Sequence, residues 1–260
     1  MQPSREKIIS IHNFSFEYDV KFYKKNNDLR QLFVEIFTSP LKSFFDKNQK
    51  NYVLKDINLE VFSGDRVGIL GVNGCGKTTL CRQLAGMGKK NDFVLTKDLK
   101  AILNTDVAAF PELTGRENIE VLVNLLYMDK SSEERKKIIE DAVSFSDIDN
   151  FIDTPFKNYS KGMKARVFLS SISSTPSKLL ILDEVFDGAD TFFSEKIAVR
   201  VKKMIAASGA VLFVSHDLEK IKEICNRVIV LKDGEIIYDG STIAGIKSYL
   251  MNCRPDLSEI

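Results

Sequence analysis

Residues 71–78 read GVNGCGKT, directly after the apolar run RVGIL at 66–70 and directly before a helical segment reaching to about Met87. The spacing is G-x-x-x-x-G-K-[ST], and strand–turn–helix is the setting in which that spacing has a mechanism. Gly71, Gly74 and Gly76 allow backbone angles that a side chain would block. The loop N–H groups, those of Asn73 and Cys75 among them, and the following helix N-terminus then face an anion. Lys77 sets a cation on the β/γ oxygens of a nucleoside triphosphate, Thr78 offers a hydroxyl to Mg²⁺, and Thr79 reaches the α-phosphate. A chain that carries this turn is committed to an α/β sheet with the loop at a strand's C-terminal end.

The rest of the pattern agrees. Strands are expected at 7–18, 52–62 and 65–70, near 101–103, and at 179–182, 211–214 and 228–231. Helices fall between them, two of them within 116–147, where Ser131 and Glu134 supply a capping box. Short, wholly apolar runs such as Leu179–Leu182 mark central parallel strands, so helices pack on a mostly parallel sheet. Asp233-Gly234 and Asp239-Gly240 read as turns. Residues 19–50 interrupt the strand pattern. Within them Leu29, Leu32, Phe33, Ile36 and Phe37 share one helical face, with Asp28 before them as an N-cap and Pro40 after them as a stop.

Two further segments complete a phosphate-transfer site. In LLILDE, 179–184, Asp183 ends a buried strand where it can hold Mg²⁺ through water, and Glu184 can orient or polarise the attacking water. In VLFVSHD, 211–217, His216 ends another apolar strand, where an imidazole meets a γ-phosphate. His12, inside an early strand, reads as structural. Thirty-seven Lys and Arg against 36 Asp and Glu give a formal net charge of +1, so no nucleic-acid partner is expected. Cys75, Cys81, Cys225 and Cys253 lack metal-ligand spacing and read as reduced thiols. Cys75 at the helix tip is either a reactive thiol or, preferred, a small residue that contributes its backbone. The opening MQPSREKIIS has no apolar signal core, and no run approaches a membrane span.

YSKGMKAR at 159–166 resembles the LSGGQ signature of ATP-binding cassette (ABC) proteins, and with the phosphate loop, LLILDE and VSHD in the family's order the resemblance covers nearly the whole chain. Ser160 and Gly162 keep the pattern, whereas Tyr159, Lys161 and Met163 depart from it. The resemblance implies one cassette at 1–260: a mostly parallel central sheet, an antiparallel β edge and a helical subdomain at about 112–165. It further implies head-to-tail pairing, with ATP and Mg²⁺ held by one copy's phosphate loop and by Ser160, Lys161 and Gly162 of the other. Lys161 would add a charge near that γ-phosphate. Asp190 resembles the D-loop aspartate, or it simply N-caps the next helix. The family's Mg²⁺-contacting Gln is missing from 102–119; Asn104 stands at its position, with Asp106 as rival. Tyr18 is the expected adenine-stacking aromatic, with Phe16 and Tyr23 as rivals.

FPELTGREN at 110–118, YSKGM, and the insert at 19–50 resemble the ATPases that drive export of lipid-linked O-antigen, capsule or teichoic-acid chains. That resemblance implies an ATPase held at the cytoplasmic face of the cell membrane by a transmembrane permease, with helices 116–147 and the loop at 104–113 as the docking surface. The chain ends at Ile260, so the sugar-binding domain of some members is expected to be absent. Import of a small solute, export of a drug or peptide, a nucleic-acid-acting ABC ATPase and a small-molecule kinase are the rival readings.

Overall fold

The computed structural model describes residues 5–17, 52–87, 92–103, 110–183 and 191–254, with only the backbone described at 191–195. Tyr18, Tyr23, the insert at 19–50, Asn104, Asp106, Glu184 and Asp190 lie outside the described residues. Among those described, β4 (Leu99–Ile102), β5 (Leu179–Asp183), β6 (Ala210–Val214), β3 (Arg66–Leu70), β7 (Arg227–Lys232) and β8 (Glu235–Ser241) form one sheet in that order. Its pairs are parallel except β7–β8. A second, antiparallel pair joins β1 (Lys7–Glu17) to β2 (Tyr52–Phe62).

Alternation inside the apolar runs fixes the layers, because both sheet faces are covered and every strand residue must choose one. Leu180, Leu182, Val211, Phe213 and Val228 face one core. It is closed by α4 (Lys161–Ile172), α5 (Thr191–Ala207), α6 (Leu218–Ile224) and α7 (Thr242–Cys253). Leu179, Ile181, Leu212, Val214 and Ile229 face the opposite core with the β1–β2 pair and α1 (Lys77–Leu84). Each fully buried Leu, Ile or Val contributes about 1.5–3 kcal/mol of transfer free energy.

A third cluster lies under α2 (Gly115–Leu126) and α3 (Ser132–Phe145), with Ile119, Leu122, Val123, Ala142 and Phe156 buried in it. Helix α4 contributes Val167 to this cluster and Ala165, Leu169 and Ile172 to the main core, so it bridges the two. Thr114 and Ser131 cap α2 and α3, each accepting from the backbone N–H three residues on while Glu117 and Glu134 return the bond. Both carboxyls are held below their usual range by those backbone bonds. Ser131→Ala is expected to cost about 1 kcal/mol, read as a lower chemical-denaturation midpoint at unchanged slope.

One expected turn is a strand. Asp239 and Gly240 pair with Ile229 and Val228 inside β8. Both Asp239 carboxylate oxygens accept from Arg227 at 2.6 Å, and a side chain at Gly240 would run into the Tyr238 hydroxyl at 2.6 Å. Local composition suggested a turn; a cross-strand ion pair and tight packing override it. The turn at Asp233-Gly234 is present, with φ of 50° and 84°.

Candidate functional site

Strand β3 lies between β6 and β7, and its C-terminal end opens into the glycine loop. In register, Ile69 pairs with Val214, and Val214 with Asp183. The loop after β3, the carboxylate ending β5 and the histidine two residues past β6 therefore leave the sheet at one edge. A cleft of about 490 Å³ opens there, lined by Val53, Asn73, Gly74, Gly76, Lys77, Thr78, Thr79 and His216.

The glycines are needed for two different reasons. Gly74 has φ 81° with open space where a side chain would go, so only its left-handed backbone demands glycine. Gly76 has φ 109°, and a Cβ there would also meet Leu54 Cδ2 at 2.8 Å and the Val53 carbonyl at 2.9 Å. Gly76 is the N-cap of α1 and supplies no side-chain bond, and the first turn holds no acidic residue. The helix tip keeps its donors for an anion.

Lys77 is 7% exposed, and its Nζ donates to the carbonyls of Gly71 at 2.8 Å and Val72 at 3.1 Å. The ammonium is thus already held at the loop, where a phosphate oxygen makes the stronger, charge-assisted bond. Thr78 is half-buried on the rim, and Thr79 is buried. Asp183 is 5% exposed. Its charge and that of Lys77 both reach Cys81, whose thiol is pushed well above its usual value by burial first and by Asp183 second. A hydroxyl, a buried carboxylate and an uncapped helix tip at one sheet edge fit a Mg²⁺–phosphate pair.

Cys75 is buried, with its sulfur 2.5 Å from where a Cβ on Gly71 would sit. Burial raises its pKa, against the opposing pull of Lys77. This favours the packing reading over a reactive thiol, since desolvation outweighs the helix tip. His12 lies on β1, exposed and bonded to Ser10, and does not line the cleft. Phe16 pairs with Leu54 and stacks at 6.4 Å on Phe14.

Ser160 is the N-cap of α4 and accepts from the Met163 N–H at 3.2 Å. Ser160, Lys161 and Gly162 are not among the residues lining the cleft of their own chain. Tyr159 is buried: its hydroxyl donates to the Phe151 carbonyl at 2.6 Å, and its ring lies 5.2 Å from that of Phe156. The aromatic residue in place of the family's Leu thus anchors the signature turn. The stretch at 110–118 is fixed by Asn118, fully buried, which accepts from the Phe110 N–H at 2.7 Å and donates to the Thr114 carbonyl at 2.8 Å. Val53 is a cleft residue that the sequence patterns did not single out; its place beside the Leu54 position under Gly76 appears only in three dimensions.

A family model described as ABC transporter matches residues 54–187, and the chain belongs to that family. Its relatives include the teichoic acids export ATP-binding protein TagH of Shouchella clausii, 34% identical over 82% of this chain and 60% of the relative. TagH of Listeria monocytogenes serotype 4b is 31% identical over 88% of this chain and 65% of the relative. The O-antigen export system ATP-binding protein RfbE of Yersinia enterocolitica is 34% identical over 72% and 78%. This chain therefore spans about two thirds or less of the two TagH proteins. The fold matches a dimeric post-hydrolysis state of the ATP-binding cassette MJ0796 bound to ADP and Pi, with a TM-score of 0.60, 24% identity, and cover of 74% of this chain and 91% of that one.

Proposed function

We propose that this chain is the ATP-hydrolysing subunit of an ABC transporter that exports a lipid-linked polysaccharide. The observation that carries the ATPase part is the shared sheet edge of the glycine loop, Asp183 and His216. The export part draws on TagH and RfbE, whose names place them in teichoic acid and O-antigen export.

In this reading the loop N–H groups and Lys77 bind the phosphates, and His216 contacts the γ-phosphate. Thr78 and Asp183 would hold Mg²⁺, with Asn104 as a third contact, and the ion when bound would supply charge neutralisation at the phosphate oxygens. Glu184, one residue beyond Asp183, positions the attacking water and draws on its proton. Tyr18 stacks on the adenine. Ser160, Lys161 and Gly162 do not line their own cleft, so their phosphate partner belongs to a second copy arranged head to tail, with Asp190 at the interface. ATP then favours the closed pair because both copies hold it, and hydrolysis removes the bridging contact.

Among the described residues no helix is long and apolar enough to cross a membrane. The work is delivered through a transmembrane permease, with this chain peripheral on the cytoplasmic face. Ile119, Leu122 and Val123 are buried, so only part of the apolar surplus on α2 is free: Leu125 is exposed, as are Phe110 and Phe151 near the helix start. Phe110 belongs to the proposed docking loop at 104–113.

Cells in which the chain is replaced by its Lys77→Ala form are expected to lose surface polymer and accumulate the lipid-linked chain inside. Radiolabelled polymer counted on each side of the membrane reads this out. Normal surface polymer with lost uptake of a small solute would reject export.

A further inference from the structure

Lys100 lies on β4, the outermost strand at one end of the sheet, yet it is only 4% exposed. Its Nζ donates to the Thr175 carbonyl at 2.7 Å, to Thr175 Oγ1 at 2.5 Å and to the Pro176 carbonyl at 3.3 Å. The same ammonium stands 4.2 Å from the centre of the Tyr127 ring, a cation–π contact strengthened by exclusion of water.

Tyr127, 1% exposed, is the C-cap of α2. Its hydroxyl reaches across to the carbonyls of Ser171 at 2.9 Å and Ile172 at 3.1 Å, in the last turn of α4. Arg200 of α5 adds a bond from Nε to the Ser173 carbonyl at 3.3 Å. Donors and cations thus gather at the negative end of the helix whose other end begins at Ser160. Buried lysines are rare unless their donors are satisfied, and nothing in the sheet itself requires one here.

We propose that Lys100 is a positioning residue for ATP hydrolysis: with Tyr127 it pins the C-terminal end of α4 to the edge strand and so sets where Ser160 meets the partner copy's nucleotide. This rests on the head-to-tail reading above. Helix α4 has 12 residues and so is about 18 Å long; a tilt of about 3° at the pinned end moves Ser160 by about 1 Å, enough to change rates by an order of magnitude or more.

The clamp is sensitive to pH. Burial pulls the Lys100 ammonium down to about 8, with Lys130 pushing the same way and Asp98 and Asp129 opposing. The Tyr127 phenol beside it is itself raised by burial; Arg200, which acts on that phenol, pairs with Asp141. Above pH 8 the folded chain loses this proton before the unfolded chain does. On this group's account stability rises with pH while the cationic clamp weakens, so a fall in rate there is separable from unfolding.

The test compares the full-length parent, Lys100→Met and Lys100→Arg from pH 7 to 9.5, measuring kcat, binding of a fluorescent ATP analogue and ATP-driven pairing. Lys100→Met should bind the analogue as the parent does but lose about tenfold in kcat, with weaker pairing. The parent's kcat should fall above pH 8, and Lys100→Arg, which stays charged, should not follow it. The proposal is overturned if Lys100→Met keeps the parent's kcat, or if Lys100→Arg and the parent share one pH profile, a comparison that stands even where Lys100→Met fails to fold. A parent that hydrolyses ATP without ever pairing would instead reject the head-to-tail reading.

Discussion

Lys77→Ala lowers the affinity for ATP by about a hundredfold, the equivalent of roughly 3 kcal/mol lost with one buried charge-assisted contact. Lys77 is the one lysine or arginine among the described residues lining the cleft, and its own bonds go to the carbonyls of Gly71 and Val72. Removing it leaves the glycine backbone and helix tip to hold the phosphates with partial charges only. The fold should survive, because the ammonium takes part in no ion pair among those described and its two carbonyl partners can turn to water. Titration calorimetry checks the affinity, and a thermal melt checks the fold. An unchanged dissociation constant would mean that the phosphates bind elsewhere.

The second large effect is on chemistry. Glu184→Gln should leave ATP binding intact and lower kcat by about a thousandfold, the range for removal of a positioned general base. Asp183 is fixed at the C-terminal end of β5 by its pairing with Val214, and Glu184 is the next residue in the sequence. The amide is nearly isosteric and can orient water but cannot take its proton. Single-turnover hydrolysis of labelled ATP reads this out. A variant that hydrolyses ATP as fast as the parent would transfer the role to His216 or to another group.

Much of this site is legible in sequence because its parts are short, local and physically constrained. A glycine loop between an apolar strand and a helix can be read from eight residues, since side chains rarely adopt φ of 81° and 109°, as at Gly74 and Gly76. The Ser131 box and the Ser160 cap are legible for the same reason: one hydroxyl meets an N–H three positions away. Long-range packing is not legible. Asp239-Gly240 carries turn composition, but Arg227 on the neighbouring strand holds it in β8. Nothing near the strand expected at 101–103 signals that Lys100 is buried; its burial depends on Tyr127 and Thr175, 27 and 75 positions away. Helix α2 shows an apolar surplus without revealing that Ile119 and Val123 are spent in the core while Leu125 is not.

The most direct test is sedimentation velocity of the Glu184→Gln chain with Mg²⁺ and either ATP or ADP, beside the same chain carrying Ser160→Arg. The single variant should sediment as a pair with two bound ATP molecules, and as one copy with ADP. The double variant should bind ATP as one copy. Nucleotide-saturated material that stays single in ATP, or a double variant that pairs as readily as the first, would contradict a site shared between the glycine loop of one copy and the α4 tip of the other.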